Sequence, residues 1–398
     1  MLVNHIIHNN KKALLDFGRT LKINPNHTFA LVRRGQIYHS MRRYEDALQD
    51  LDRAIKLDPN FIEALAIRGE TYRLMQRYDD ALQDFNRAIA LKPNFDWALA
   101  SRGQIYYSMQ RYDEALQDFN YAIKINPNLD WVLASRGQTY QLMQIYQQAL
   151  QDFDQAIKLN PGNAWAFAGR GETYRLIQRY KQALKDFDSA IALNPNYAWV
   201  LVTRGEVYLL LKRYKDALAD FNNALELESD HDWCLYVRAL AYQALKQPEK
   251  ARSDLASAVQ IAKEHYKQDS QDWHNTFNLA LYYLAVNYTP TADQIYRYAL
   301  SQGACLQCIH QAIRDLDDFL TIFPNHIHAQ SLRQLLQLAL RTGNGEVAGL
   351  LWRATTIASF LCLCTAKTEK RCMRSSQIFS GLALLATVDS SKIYKSRR

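Results

Sequence analysis

The sequence predicts an all-α solenoid of stacked antiparallel helix hairpins, and three observations point there. Six prolines, Pro25, Pro59, Pro93, Pro127, Pro161 and Pro195, stand 34 residues apart. One skeleton returns with them, seen cleanly in Arg68-Gly69, Tyr72, Arg77-Tyr78, Ala81-Leu82, Asp84-Phe85, Ala88 and Pro93-Asn94. Between the prolines, apolar residues recur mostly at spacings of three and four. A fixed period of this length marks supersecondary units that cover their apolar flanks only against neighbours. Function is then expected on a surface built by repetition, because no single unit forms a pocket.

The unit that begins at Ile62 shows why each element forms. Leu65, Gly69 and Tyr72 lie on the apolar stripe of a first helix. Tyr78, Ala81, Leu82, Phe85, Ala88, Ile89 and Leu91 make the stripe of a second. Gly69 and Ala81 are small where two antiparallel helices need close backbone approach. Pro93-Asn94 stops the second helix and turns the chain into the next unit.

These residues carry a resemblance to the tetratricopeptide repeat family. Counting the first full repeat from Thr28 to Phe61, the family's small residue at position 8 is Gly35, its aromatic at 11 is Tyr38 and its alanine at 20 is Ala47. Position 24, usually aromatic, is Leu51, and positions 27 and 32 are Ala54 and Pro59. Later copies begin at Ile62, Asp96, Asp130, Ala164, Ala198 and Asp232, so the resemblance covers about 240 residues in seven copies. Position 4 is Leu or Phe, never Trp, and position 15 is Gln or another residue where glycine is frequent. The near-identical repeats are similar to long bacterial arrays. The resemblance implies a right-handed superhelical solenoid acting as a protein–protein interaction scaffold. Its concave groove would hold a peptide or protein partner, without enzymatic activity or cofactor.

Four segments follow from the register. Residues 1–27 read as a partial N-terminal repeat, because Ala13-Leu14, Asp16-Phe17 and Pro25-Asn26 match a second helix. Its first helix is expected to survive only as a short Leu2 to His8 segment, which suggests either that the sequence begins inside a longer array or that its start codon is assigned late. Residues 28–265 hold the seven repeats, and 266–342 hold a divergent repeat and a helical cap. In the cap, Ile327 to Arg341 reads as a last helix, with Gln330, Arg333, Gln334 and Gln337 on a solvating face. Residues 343–398 form an irregular basic tail, opened by the turn signal Gly343-Asn344-Gly345.

Charge separates these segments. The formal net charge is +8, of which the tail carries +6 through nine Lys and Arg against three Asp and Glu. The repeat body is therefore near neutral, and no nucleic-acid partner is expected for it. The basic tail keeps nucleic-acid binding open as an alternative. A second alternative is a membrane-anchored assembly factor using the apolar stretch 347–364, although Arg353 interrupts that stretch. No secretory signal is visible at Met1-Leu2-Val3-Asn4-His5, and six cysteines are few, which fits a reducing, cytoplasmic compartment rather than a disulfide framework.

Candidate site residues are those that recur beyond what a hairpin requires. Arginine stands at position 7 in all seven copies, as Arg34, Arg68, Arg102, Arg136, Arg170, Arg204 and Arg238. Aspartate stands at position 23, as Asp50, Asp84, Asp118, Asp152, Asp186, Asp220 and Asp254. Co-occurrence on the two helices suggests structural ion pairs, either within a hairpin or bridging to the next. Tryptophan fills position 2 in five copies, as Trp97, Trp131, Trp165, Trp199 and Trp233. By the resemblance these would line the concave surface as a ladder of binding anchors. They could equally act as staples against the preceding Pro-Asn turn.

Gln36, Glu70, Gln104, Gln138, Glu172 and Glu206 at position 9 could hydrogen-bond an extended peptide, and Arg73, Tyr107 and Arg175 at position 12 could meet acidic or aromatic groups. Position 5 is small, with Val32, Ala66, Ala100, Ala134, Ala168 and Val202 leaving room for a ligand. Family members that clamp a C-terminal carboxylate use Lys at position 5 and Asn at 9, which are absent here. Cys305 and Cys308 have the spacing of a redox or zinc pair but lack a second pair, so they read as two buried thiols. His326 and His328 lack metal partners, and no metal site is expected. No phosphate loop, nucleophile elbow or paired-carboxylate pocket is present, so no enzymatic activity is expected.

Overall fold

The computed structural model describes residues 2–342, and among them every regular element is an α-helix, nineteen in number. They form two compact units, the first ending at Ser229 and the second beginning at Asp230.

The first unit opens with α1 (Leu2–Ile23), followed by six hairpins. These are α2 (Thr28–Ser40) with α3 (Tyr44–Leu57), α4 (Ile62–Leu74) with α5 (Tyr78–Leu91), and α6 (Asp96–Ser108) with α7 (Tyr112–Ile125). Then come α8 (Asp130–Leu142) with α9 (Tyr146–Leu159), α10 (Ala164–Leu176) with α11 (Tyr180–Leu193), and α12 (Ala198–Leu210) with α13 (Tyr214–Leu227). Each first helix starts where the 34-residue period starts. Contrary to expectation, α1 is one unbroken helix of 22 residues, so no separate first-helix remnant precedes Ala13. The intervening Asn9-Asn10-Lys11-Lys12 contains neither Pro nor Gly to stop it.

Turn chemistry and core packing set the hairpin geometry. In the second repeat Gln76 adopts a left-handed φ of 59°. Its N–H reaches Arg73 O at 3.0 Å, and the Arg77 N–H reaches Tyr72 O at 2.9 Å. That is the paired carbonyl capping that ends a helix and reverses the chain. Inside the hairpins from α4–α5 to α12–α13 a fully buried phenylalanine, such as Phe119 or Phe221, lies beneath the first helix, and Leu51 takes that place in α2–α3. Burying each contributes about 2 kcal/mol. The helices approach so closely that a Cβ on Gly103 would sit 2.8 Å from Phe119 Cε1.

The second unit comprises α14 (Asp232–Ala244), α15 (Pro248–Gln268), α16 (Trp273–Ala285), α17 (Thr289–Ser301), α18 (Leu306–Ile322) and α19 (Ile327–Thr342). Pro248 opens α15 where a missing N–H costs nothing, and without the closing proline of earlier copies α15 runs to 21 residues. In α16 the arginine position is taken by Leu279, only 2% exposed, and the core there is aromatic. Tyr236 and Tyr282 stack at 4.9 Å, and the Tyr282 hydroxyl donates to Asp232 Oδ2 at 3.0 Å. On α19, Arg333 bonds Asp317 of α18, while Gln330 and Gln334 are exposed.

Candidate functional site

The recurring arginines fix the first helices on which every candidate binding residue rides. All seven clasp the aspartate of their own hairpin through two parallel bonds. Arg34 Nε and Nη2 both lie 2.6 Å from Asp50, and Arg238 donates to Asp254 at 2.8 Å twice. The same fork joins Arg68 to Asp84, Arg102 to Asp118, Arg136 to Asp152, Arg170 to Asp186 and Arg204 to Asp220. The aspartates are buried, Asp84 at 3% exposure, whereas the arginines reach the surface.

A third bond reaches the preceding hairpin. Nη1 of Arg68, Arg170 and Arg204 meets Asp52, Asp154 and Asp188 at 2.6–2.7 Å. Nη1 of Arg102 and Arg136 meets Asn86 and Asn120 at 2.7 Å. The pairing is thus both within a hairpin and between hairpins. Burial opposes the charge on Arg68, but its bonds to Asp84 and Asp52 outweigh that and hold the guanidinium's pKa above its ordinary value. Burial raises the Asp84 pKa against the pull of Arg68. Six of these arginines also lie beside the tyrosine one turn on, as Arg68 does 5.7 Å from the Tyr72 ring centre, while Arg170 lies 5.6 Å from the Phe167 ring centre. Tyr72 also carries Arg77 at 4.4 Å.

The tryptophans of the first unit share one environment with graded exposure. Trp97, Trp131 and Trp165 are half-buried, and Trp199 is 38% exposed. Trp97 meets Phe85 of the preceding hairpin edge-on at 6.2 Å and the turn residue Phe95 at 5.9 Å. Trp131 packs against the buried cluster that contains Phe119, and Trp199 lies edge-on to Tyr197 at 5.3 Å. Trp97 therefore contacts the core phenylalanine of the preceding repeat as well as the turn. In the second unit Trp233 packs on Tyr236 at 5.2 Å.

The polar candidates largely satisfy one another. Arg73 holds Glu70 through two bonds at 2.9 and 2.7 Å, and Arg175 holds Glu172 at 2.7 and 2.8 Å while its Nη1 lies 3.9 Å from Glu206. Carboxylates on the same face thus already bond the arginines that the sequence offers to acidic ligand groups. Arg33 donates to Gln36 at 2.9 Å, and the Ser135 hydroxyl donates to Gln104 at 3.2 Å. Gln138 is half-buried. Burial, with a smaller push from Tyr112, raises the Tyr107 hydroxyl to about 12.

Position 5 is corrected too. Val32, Ala66, Ala100, Ala134, Ala168 and Val202 are at most 4% exposed, so packing against neighbouring helices fills the space expected for a ligand. His39 was missed: its Nδ1 lies 2.9 Å from Thr71 Oγ1 of the next hairpin, and burial lowers its pKa. It stands one period before Arg73, so register alone would have found it. Cys305 and Cys308 are not buried thiols. They form a disulfide, with Cys305 exposed at the N-cap of α18 and Cys308 in the first turn of that helix.

Among the described residues no cluster of His, Cys, Asp or Glu has a metal-holding arrangement, and no helix is long and apolar enough to cross a membrane. The stretch 347–364, the basic tail, Cys362, Cys364 and Cys372 lie outside the described residues.

Stacked helix hairpins locked by recurring Arg–Asp forks define a helical-repeat scaffold. Sequence profiles described as tetratricopeptide repeat match residues 29–61, 97–129, 131–163, 164–197, 198–231 and 234–265, and one described as TPR repeat matches 69–110. The chain belongs to the tetratricopeptide repeat family, whose members are protein-interaction scaffolds. No curated protein matches it.

Solved structures share the fold alone. YrrB, described as a TPR protein with an unusual peptide-binding site, is 23% identical, with a TM-score of 0.39 over 46% of this chain and 95% of its own. A tetratricopeptide repeat protein from Parabacteroides merdae is 21% identical, with a TM-score of 0.49 over 59% and 93%. The Cut9–Hcn1 assembly of the APC/C is 17% identical, with a TM-score of 0.49 over 78% and 56%.

Proposed function

We propose that the first unit binds an extended peptide segment of a protein partner along the faces of α6, α8, α10 and α12. The observation that carries this reading is the fourfold recurrence of a half-open indole, Trp97, Trp131, Trp165 and Trp199, beside polar groups already held in place. Gln104, Gln138, Glu172 and Glu206 supply amide and carboxylate acceptors at the same spacing. Because neighbours hold several of these side chains, docking orders little that is mobile, and each indole contributes about 2 kcal/mol as an anchor. Such a scaffold holds a partner without transforming it, so the reading is non-enzymatic.

A cytoplasmic location is part of the same proposal and rests on the low cysteine content. Fractionation of tagged protein tests it. Proximity labelling followed by Trp131→Ala, Trp165→Ala and Trp199→Ala tests the groove. Loss of the labelled partner with helical circular dichroism unchanged is the expected result. Full retention by the folded triple variant would overturn the reading.

A further inference from the structure

The turn between α17 and α18 presents a cysteine pair that the groove reading does not use. Its frame is fixed on both sides. The fully buried Ala304 donates its N–H to Ala299 O at 3.0 Å, Gly303 supplies a left-handed φ of 83°, and Ile309 is buried one turn into α18. Between these anchors Cys305, Leu306 and Gln307 are exposed. Cys305 is the N-cap of the 17-residue α18 and is disulfide-bonded to Cys308, with Cα atoms 5.2 Å apart. The Cys308 N–H donates to Cys305 Sγ at 3.1 Å, a contact that strengthens as the sulfur gains negative charge.

We propose that Cys305–Cys308 is a reversible thiol–disulfide exchange site for low-molecular-weight aliphatic thiols. Cys305 is the sulfur that meets them. An external thiolate attacks the exposed Cys305 Sγ, the S–S bond breaks, and its electron pair leaves on Cys308, which takes a proton from water. A second thiolate attacks the external sulfur of the mixed disulfide, and Cys305 departs with that electron pair and is protonated. Two external thiols are thereby oxidised to one disulfide while the protein disulfide is reduced to two thiols. In the reverse direction Cys308, one helical turn away, resolves a mixed disulfide formed on Cys305. The bridge spans a sequence separation of only 3, so opening it leaves the surrounding fold in place.

The test uses the full chain, dithiothreitol, oxidised glutathione and peptide mass mapping. Dithiothreitol is expected to free Cys305 and Cys308 to alkylation with helicity unchanged, while the buried Cys234 stays protected. After reduction and exposure to oxidised glutathione, Cys308→Ser accumulates one glutathione adduct on Cys305. It does so at least about tenfold faster than Cys305→Ser accumulates one on Cys308. Equal or reversed rates, or a wild-type pair that stays open under oxidised glutathione, would overturn the proposal.

Discussion

Arg136 and Asp152 meet through two parallel hydrogen bonds, Nε to Oδ2 at 2.7 Å and Nη2 to Oδ1 at 2.6 Å. The carboxylate comes from α9, the guanidinium from α8, and the third donor of Arg136 crosses to Asn120 of the previous hairpin at 2.7 Å. One side chain therefore sets both the hairpin angle and the stacking register.

Arg136→Leu leaves Asp152, 5% exposed, without its counter-ion. An uncompensated buried charge costs about 3 kcal/mol, whereas replacing both partners by well-packed apolar residues comes close to neutral. Chemical denaturation of Arg136→Leu, Asp152→Leu and the double variant is expected to show two large losses and a much smaller combined one. Arg136→Lys keeps the charge but not the fork and should fall between. Partner recognition should survive in Arg136→Leu, since the fork faces neighbouring repeats. Unchanged melting of that variant would remove the lock from the account.

How much of this was legible follows from what recurs. Arg and Asp return with every copy, so their pairing could be read before any geometry was known. The bridge to the preceding hairpin could not be assigned, because its acceptor alternates between aspartate (Asp52, Asp154, Asp188) and asparagine (Asn86, Asn120) and offers no invariant residue to notice. The small side chains at position 5 suggest open space, but size in a sequence does not say whether a neighbour fills the gap. The Glu70–Arg73 pair was legible in principle as a three-residue spacing on one helix. The cysteine pair differs from expectation for a local reason: α17 ends at Ser301 and α18 begins at Leu306, so Cys305 falls on the connecting turn and Cys308 in the first turn of α18.

Close helix approach makes a paired glycine experiment decisive. Gly to Ala in a helix ordinarily gains up to about 1 kcal/mol. At Gly18 of α1 an added Cβ meets nothing within 4 Å, so Gly18→Ala should stabilise by roughly that amount. At Gly205 it would lie 2.5 Å from Phe221 Cε1, with the ring fully buried and unable to retreat. Gly205→Ala is expected to destabilise by about 2 kcal/mol instead. Denaturant midpoints of the two variants should move in opposite directions, and a shared direction would refute the packing account.

The hairpin turns hold non-glycine residues in the left-handed region, at φ 59° for Gln76 and Gln110, 61° for Gln144 and 59° for Gln178. That conformation costs an ordinary side chain roughly 1 kcal/mol or more, part of which glycine returns as unfolded-state entropy. Gln110→Gly should therefore stabilise by about 0.5 kcal/mol. Because these turns are well separated, all four changes together should add to roughly 2 kcal/mol. Thermal melting measures it, and a lowered midpoint for the fourfold variant would show that the turns are not strained.

Alkaline stability is set by tyrosines whose hydroxyls are kept neutral. Burial raises Tyr107 from 10.0 to about 12, with Tyr112 adding to the shift. Burial and the bond to Asp232 raise Tyr282 well above its ordinary value, and burial raises Tyr296 further than Tyr107. Each folded-state pKa lies above the unfolded one, so the stabilisation is complete below about pH 10 and is lost as pH rises toward about 12. Helical circular dichroism and phenolate absorbance followed together should show the ordinary tyrosines ionising first, with the helices intact. The remaining absorbance should then appear in one step with loss of helix. Tyr107→Phe removes the group that ionises earliest in that step, and its unfolding should shift to higher pH. Smooth ionisation of every tyrosine by pH 11 with helicity retained would contradict the burial that raises these hydroxyls.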